Sequence, residues 1–132
     1  MTAAEFRHWC RFFRKRIPLQ APVRIIRRRN LPRVPCRGAA GVVKDEPVTA
    51  YCYRRSGSLG YVIVVQNVRS RELLIESLAH EWAHCMAEPA QRVTRTQFSH
   101  DPLFGLAYGE CWRITMEEYG HERPKRKHKR KP

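Results

Sequence analysis

Between Thr2 and Arg16 the apolar residues Phe6, Trp9, Cys10 and Phe13 recur every three or four positions, with Arg7, Arg11, Arg14, Lys15 and Arg16 filling the gaps. That period predicts a helix over residues 3–16 with one apolar stripe. Thr2-Ala3-Ala4-Glu5 is a capping box at its start, and Pro18 and Pro22 end it. The pattern then shortens. Residues 22–29 read as a strand that runs into a basic triplet, and residues 30–47, punctuated by Pro32, Pro35, Gly38, Gly41 and Pro47, read as an irregular connection. Two β-branched and aromatic runs, 48–53 and 59–65, flank Arg54-Arg55-Ser56-Gly57-Ser58 and predict a β-hairpin. Helical spacing returns after Ser70, a candidate N-cap, with Leu74, Leu78, Trp82 and Met86 beside Ile75 and Ala79. This second helix is expected to end near Pro89. Polar turn formers occupy 90–99, and Asp101-Pro102 opens a third helix whose stripe is Phe104, Ala107, Tyr108, Cys111, Trp112 and Thr115, fading near Gly120.

Helices at both ends of a hairpin imply an α+β fold: a small antiparallel or mixed sheet packed against two long helices, with an N-terminal helix. The 132 residues suffice for one modest core. We expect a single domain over residues 1–122 and a tail, 123–132, that is disordered when free, because almost nothing in it is apolar. No apolar run is long enough to cross a bilayer and no signal-peptide pattern opens the chain, so the expected setting is cytoplasmic, in a bacterial or phage-infected cell, with no membrane partner. The five cysteines, Cys10, Cys36, Cys52, Cys85 and Cys111, are odd in number and never paired as C-x-x-C. They read as buried thiols, not as a disulfide framework or a zinc ribbon.

Charge divides the chain. Residues 1–33 hold ten Lys/Arg against one Glu, residues 34–122 nine against eleven acids, and residues 123–132 seven against none, which gives the formal +14. A polyanion such as DNA is the expected partner of the two ends. Its candidate contacts are Arg27, Arg28 and Arg29, together with Lys125, Arg126, Lys127, Lys129, Arg130 and Lys131 in the tail. An arginine triplet also serves as a solvated sheet edge that discourages aggregation.

The acidic middle carries the chemistry. His80-Glu81-Trp82-Ala83-His84 lies inside the second helix, where side chains four apart sit one above the other. His80 and His84 can therefore share one ion, and Glu81, beside it, can take a proton from a water. This is the H-E-x-x-H arrangement of a zinc peptidase. A catalytic zinc keeps three protein ligands and an open position. The third is sought among Glu88, His100, Asp101, Glu110 and His121. His100 is favoured, because it precedes a helix expected to pack on the first ligand helix; Glu110 is the alternative. Tyr108, two turns beyond His100, either stabilises a developing oxyanion or anchors a buried ring through its hydroxyl.

His80-Glu-x-x-His84, a loop, and His100-Asp101-Pro102-Leu103-Phe104 resemble the SprT-like zinc metallopeptidases, whose third His is followed four residues on by an aromatic. Trp82 and Gly105-Leu106-Ala107-Tyr108 are similar to features of small phage and bacterial members. The resemblance spans roughly residues 22–119. It implies a minimal zincin-like fold, Zn2+ held by His80, His84 and His100, Glu81 as general base, and a protein or peptide substrate, including DNA-associated proteins. The chain departs from many members in having a basic tail where they carry a nucleic-acid-binding module. Two other readings fit the same residues: a non-catalytic DNA-binding protein with a structural zinc, and a zinc nuclease. The second suffers from the scarcity of Asp, only Asp45 and Asp101 being present.

Overall fold

A computed structural model describes residues 1–31, 34–37, 43–46, 49–55, 60–67 and 70–122, with side chains for all of these but 34–37, 43–46 and 121–122. The architecture is α+β. Helix α1 spans Ala3–Arg16, strands β1 to β5 span Val23–Arg28, Val34–Arg37, Val43–Glu46, Ala50–Arg54 and Tyr61–Gln66, and helices α2 and α3 span Arg71–Thr94 and Pro102–Glu122. A three-stranded mixed sheet has the order β1-β5-β4, while β2 and β3 form a separate antiparallel pair. The expected hairpin is β4 against β5, Cys52 opposite Ile63, and β1 lies parallel on the other side of β5 with Ile25 opposite Ile63.

Local chemistry explains most boundaries. In α1 the Thr2 hydroxyl accepts from Glu5 N at 3.1 Å and Glu5 Oε2 accepts from Thr2 N at 2.9 Å, so both halves of the capping box are made. Ser70 caps α2 by accepting from Leu73 N at 3.2 Å. Gly60 opens β5 where an added Cβ would sit 2.5 Å from the Pro22 carbonyl oxygen, so the close approach of β1 and β5 requires glycine there.

Three expectations change. Residues 30–47 are not wholly irregular, since β2 and β3 lie within them; Pro35 is tolerated because β2 belongs to a two-stranded pair. Helix α2 runs through Pro89 to Thr94 and closes on Arg95 in the left-handed conformation, φ 56° and ψ 37°. Ala87, Glu88 and Gln91 are buried on both sides of the proline, and this packing offsets the lost donor. In α3, Ile114 is buried and Trp112 is exposed, the reverse of the predicted stripe.

α2 is the centre of the core. Leu74, Leu78, Ala79, Trp82, Ala83 and Cys85 are fully buried, so its middle is covered on more than one face. Trp82 fixes α1: its Nε1 donates to the Ile17 carbonyl at 2.8 Å and its ring lies 5.5 Å from Phe13. The tryptophan inside the motif therefore points at α1, about 200° around the helix from both motif histidines. Cys10, Cys85 and Cys111 are buried free thiols and Cys52 a half-buried one.

Candidate metal centre

His80 and His84 project from one face of α2, and the loop between α2 and α3 brings His100 over them. The Nε2 atoms of His80 and His84 each lie 3.1 Å from Nε2 of His100, and all three ligand atoms fall within 4.8 Å of one another. A single imidazole nitrogen offers either one proton or one lone pair. Nε2 of His100 can therefore make one linear hydrogen bond, and serves both neighbours only through a strained three-centre contact. A cation between them would use the lone pairs of all three rings at once. Tetrahedral bonds of about 2.0–2.1 Å to imidazole place the nitrogens roughly 3.3 Å apart, close to the two distances from His100. The three histidines form a group that can hold a metal ion.

Electrostatics prepares them for it. Burial and the neighbouring rings hold His84 down to about 3, and burial followed by the charge of His100 lowers His80. Both are neutral at pH 7, the form that ligates. Phe104 packs against all three imidazoles with ring centroids 4.3–5.0 Å away, closest to His84, and so fixes their tilt. Nδ1 of His84 is buried with no partner among the described residues.

Gln91, fully buried, organises the loop that carries His100. Its Nε2 donates to the Ser99 carbonyl at 3.0 Å and to Asp101 Oδ1 at 2.7 Å, while its Oε1 accepts from Phe98 N at 3.1 Å. Asp101 also accepts from Thr96 Oγ1 at 2.8 Å and, as N-cap of α3, from Phe104 N at 3.0 Å. His100 is thus clamped between a capped helix and a glutamine three turns down α2. Sequence reasoning named Asp101 as a cap but missed Gln91, whose only signal was a polar residue continuing the apolar helix face past Pro89.

Glu81 lies beside the triad and is only 7% exposed. Burial pushes its carboxyl up to about 7, against a hydrogen bond from the Cys52 thiol that favours the charged form. Cys52, on β4, also contacts Cys85, and these bonds and burial raise its thiol well above the ordinary range. Glu81, His80, Ser77, Glu76, Leu73, Thr49 and Ala50 line a cleft of about 330 Å3 between α2 and the start of β4. The Tyr108 ring lies 5.4 Å from that of His80 and is stacked on Phe104 at 5.5 Å. It is half-buried, and its ring also meets Trp112 at 6.2 Å.

The other ligand candidates are engaged elsewhere. Glu110 is exposed and pairs with Arg113 at 2.8 Å, and Asp101 is the cap. Glu88, 1% exposed, is held by Arg92 at 2.9 Å, by Arg54 at 3.8 Å and by the Tyr61 hydroxyl. The side chain of His121 lies outside the described residues. No family model matches the chain, and no curated protein or solved structure does.

Of the predicted polyanion contacts, Arg28 and Arg29 are exposed. Arg27 is not available in the same way: it donates to the Met1 carbonyl at 2.9 Å and to Asn67 Oδ1 at 2.6 Å and lies over the Phe6 ring. It ties α1 to β1. The tail residues Lys125 to Lys131 lie outside the described residues. The aromatic stripe of α1 is core, with Trp9, Phe12 and Phe13 buried, which leaves Arg7, Arg11, Arg14 and Lys15 as its exposed face.

Proposed function

We propose that the chain is a zinc-dependent metallopeptidase of the SprT-like kind. The observation that carries this reading is the convergence of three imidazole nitrogens beside a buried carboxylate that opens onto a cleft. The three-histidine group includes no Cys and no carboxylate among the described residues, which favours an open coordination position over the closed four-ligand site of a structural zinc. When bound, zinc supplies Lewis-acid polarisation of a carbonyl and lowers the pKa of a coordinated water.

The chain's own residues do the rest. His80, His84 and His100 would hold the ion through their Nε2 atoms. Glu81 takes the proton of the attacking water on a carboxylate oxygen and passes it to the leaving amine, a role suited to a group tuned near the working pH. Cys52 orients that carboxylate. The Tyr108 hydroxyl donates to the oxyanion that develops on the scissile carbonyl, a role supported by its ring lying 5.4 Å from that of His80. Among the described residues β4 is paired on one side only, and an extended peptide laid along its other edge, beside the cleft, gains backbone hydrogen bonds with little sequence preference. The basic ends recruit nucleic acid through Arg28, Arg29 and the tail, which directs the enzyme to proteins bound there.

The test is a pair of variants assayed with zinc and an unstructured protein substrate. Glu81→Gln keeps stoichiometric zinc and loses about 10²–10⁴ in kcat. His80→Ala loses both zinc and cleavage. If Glu81→Gln cleaves as fast as the parent, the proposal fails.

A further inference from the structure

Glu76 stands on α2 one turn before His80, on the face that carries the metal ligands. It is exposed, and it lines the same cleft as His80 and Glu81. Thr49 and Ser77 join across the cleft through their hydroxyl oxygens, 3.3 Å apart, tying the start of β4 to α2. Leu73, 38% exposed, offers the apolar surface one turn from Ser77. Among the described residues no Lys or Arg lines this space, and none pairs with Glu76. Its charge also acts across the centre on Tyr108, helping burial to raise the phenol.

A space of about 330 Å3 with a short apolar wall, hydroxyls at its base and one free carboxylate has the chemistry of a receptor for a long cationic side chain. The methylene stem lies on Leu73 while the ammonium or guanidinium reaches Glu76. An acidic or purely apolar side chain leaves that carboxylate desolvated without a partner. The geometry points to Glu76 as a specificity determinant: the cleft selects substrates with a lysine or arginine next to the scissile bond. The inference rests on the peptidase reading for the word scissile, but the cleft and its charge do not depend on catalysis.

The experiment uses the full chain loaded with zinc and three sets of quenched fluorogenic peptides, identical but for Lys, Gln or Glu scanned through the positions flanking the central bond. At one flanking position kcat/KM for Lys exceeds that for Gln by about fivefold, the size expected of a solvent-accessible ion pair. Glu76→Gln brings that ratio to one, and Glu76→Lys turns it in favour of Glu. A parent enzyme that cleaves all three sets equally overturns the inference, as does a preference that survives in Glu76→Gln. The same peptides, labelled and titrated against zinc-loaded Glu81→Gln protein, give the ratio from binding alone. If no peptide is cleaved by the parent but Lys still binds tighter through Glu76, the peptidase reading falls and the cationic subsite stands. Equal binding of all three by that protein removes the subsite.

Discussion

At Glu81 and His84, burial acts on two neighbouring groups in opposite senses. The Glu81 carboxyl is raised from 4.5 to about 7, so between these values the folded protein binds more protons than the unfolded chain and loses stability as pH rises. His84 is lowered from 6.5 to about 3, so in that window the folded protein binds fewer protons and loses stability as pH falls. The two slopes oppose each other between pH 4.5 and 6.5. Glu81→Gln removes only the first. Urea unfolding of the chelator-treated protein should therefore show the variant gaining stability on the parent as pH rises from 4.5 to 7, with little further change above. A difference that is flat across this range would mean that Glu81 is not buried as a titrating carboxyl. The motif announced these residues by type and spacing, but nothing in it revealed the Cys52 thiol hydrogen-bonded to Glu81 from a strand about thirty residues earlier. That hydrogen bond depends on how β4 pairs with β5, which local pattern does not encode.

The elements were legible to the degree that their ends carry their own chemistry. α1 starts and stops where its capping box and the prolines beyond it place it, and the hairpin lies where two β-branched runs flank a turn. Pro89 misled, because propensity weighs the missing donor and not the burial of Glu88 and Gln91 around it. The extra turn and more of α2 beyond Pro89 is what places Gln91 under the His100 loop. Gln91→Ala keeps the helix, since alanine is a strong helix former, but strips three hydrogen bonds from the loop. Zinc affinity should fall about 10–100-fold, the usual cost of losing an outer partner of a ligand, while far-ultraviolet circular dichroism stays unchanged. Unaltered affinity in a competition titration would show that the loop holds His100 without Gln91.

Along the sequence, positive charge gathers at the two ends and the three-histidine group lies in the acidic middle. Trp82 turns one side of α2 to α1, while His80 and His84 lie on the opposite side of that helix. Among the described residues no helix is long and apolar enough to cross a membrane, and the aromatics of α1 are committed to the core. Removal of residues 123–132 should weaken binding to a mixed-sequence DNA duplex and flatten its log–log salt dependence by about 0.9 for each phosphate that the tail had neutralised. An unchanged slope would take the tail out of the interface. The sheet order and the β2–β3 pair were beyond the reach of sequence pattern, because parallel pairing of β1 with β5 joins segments far apart in the chain.

On the proposed function, three imidazoles grip a cation that keeps room for solvent. X-ray absorption at the zinc edge of the stoichiometrically loaded protein tests it directly. The account predicts four light ligands at about 2.0–2.1 Å, with multiple scattering from three imidazoles and one non-imidazole oxygen. A sulfur shell near 2.3 Å, or fewer than three imidazoles, would contradict it.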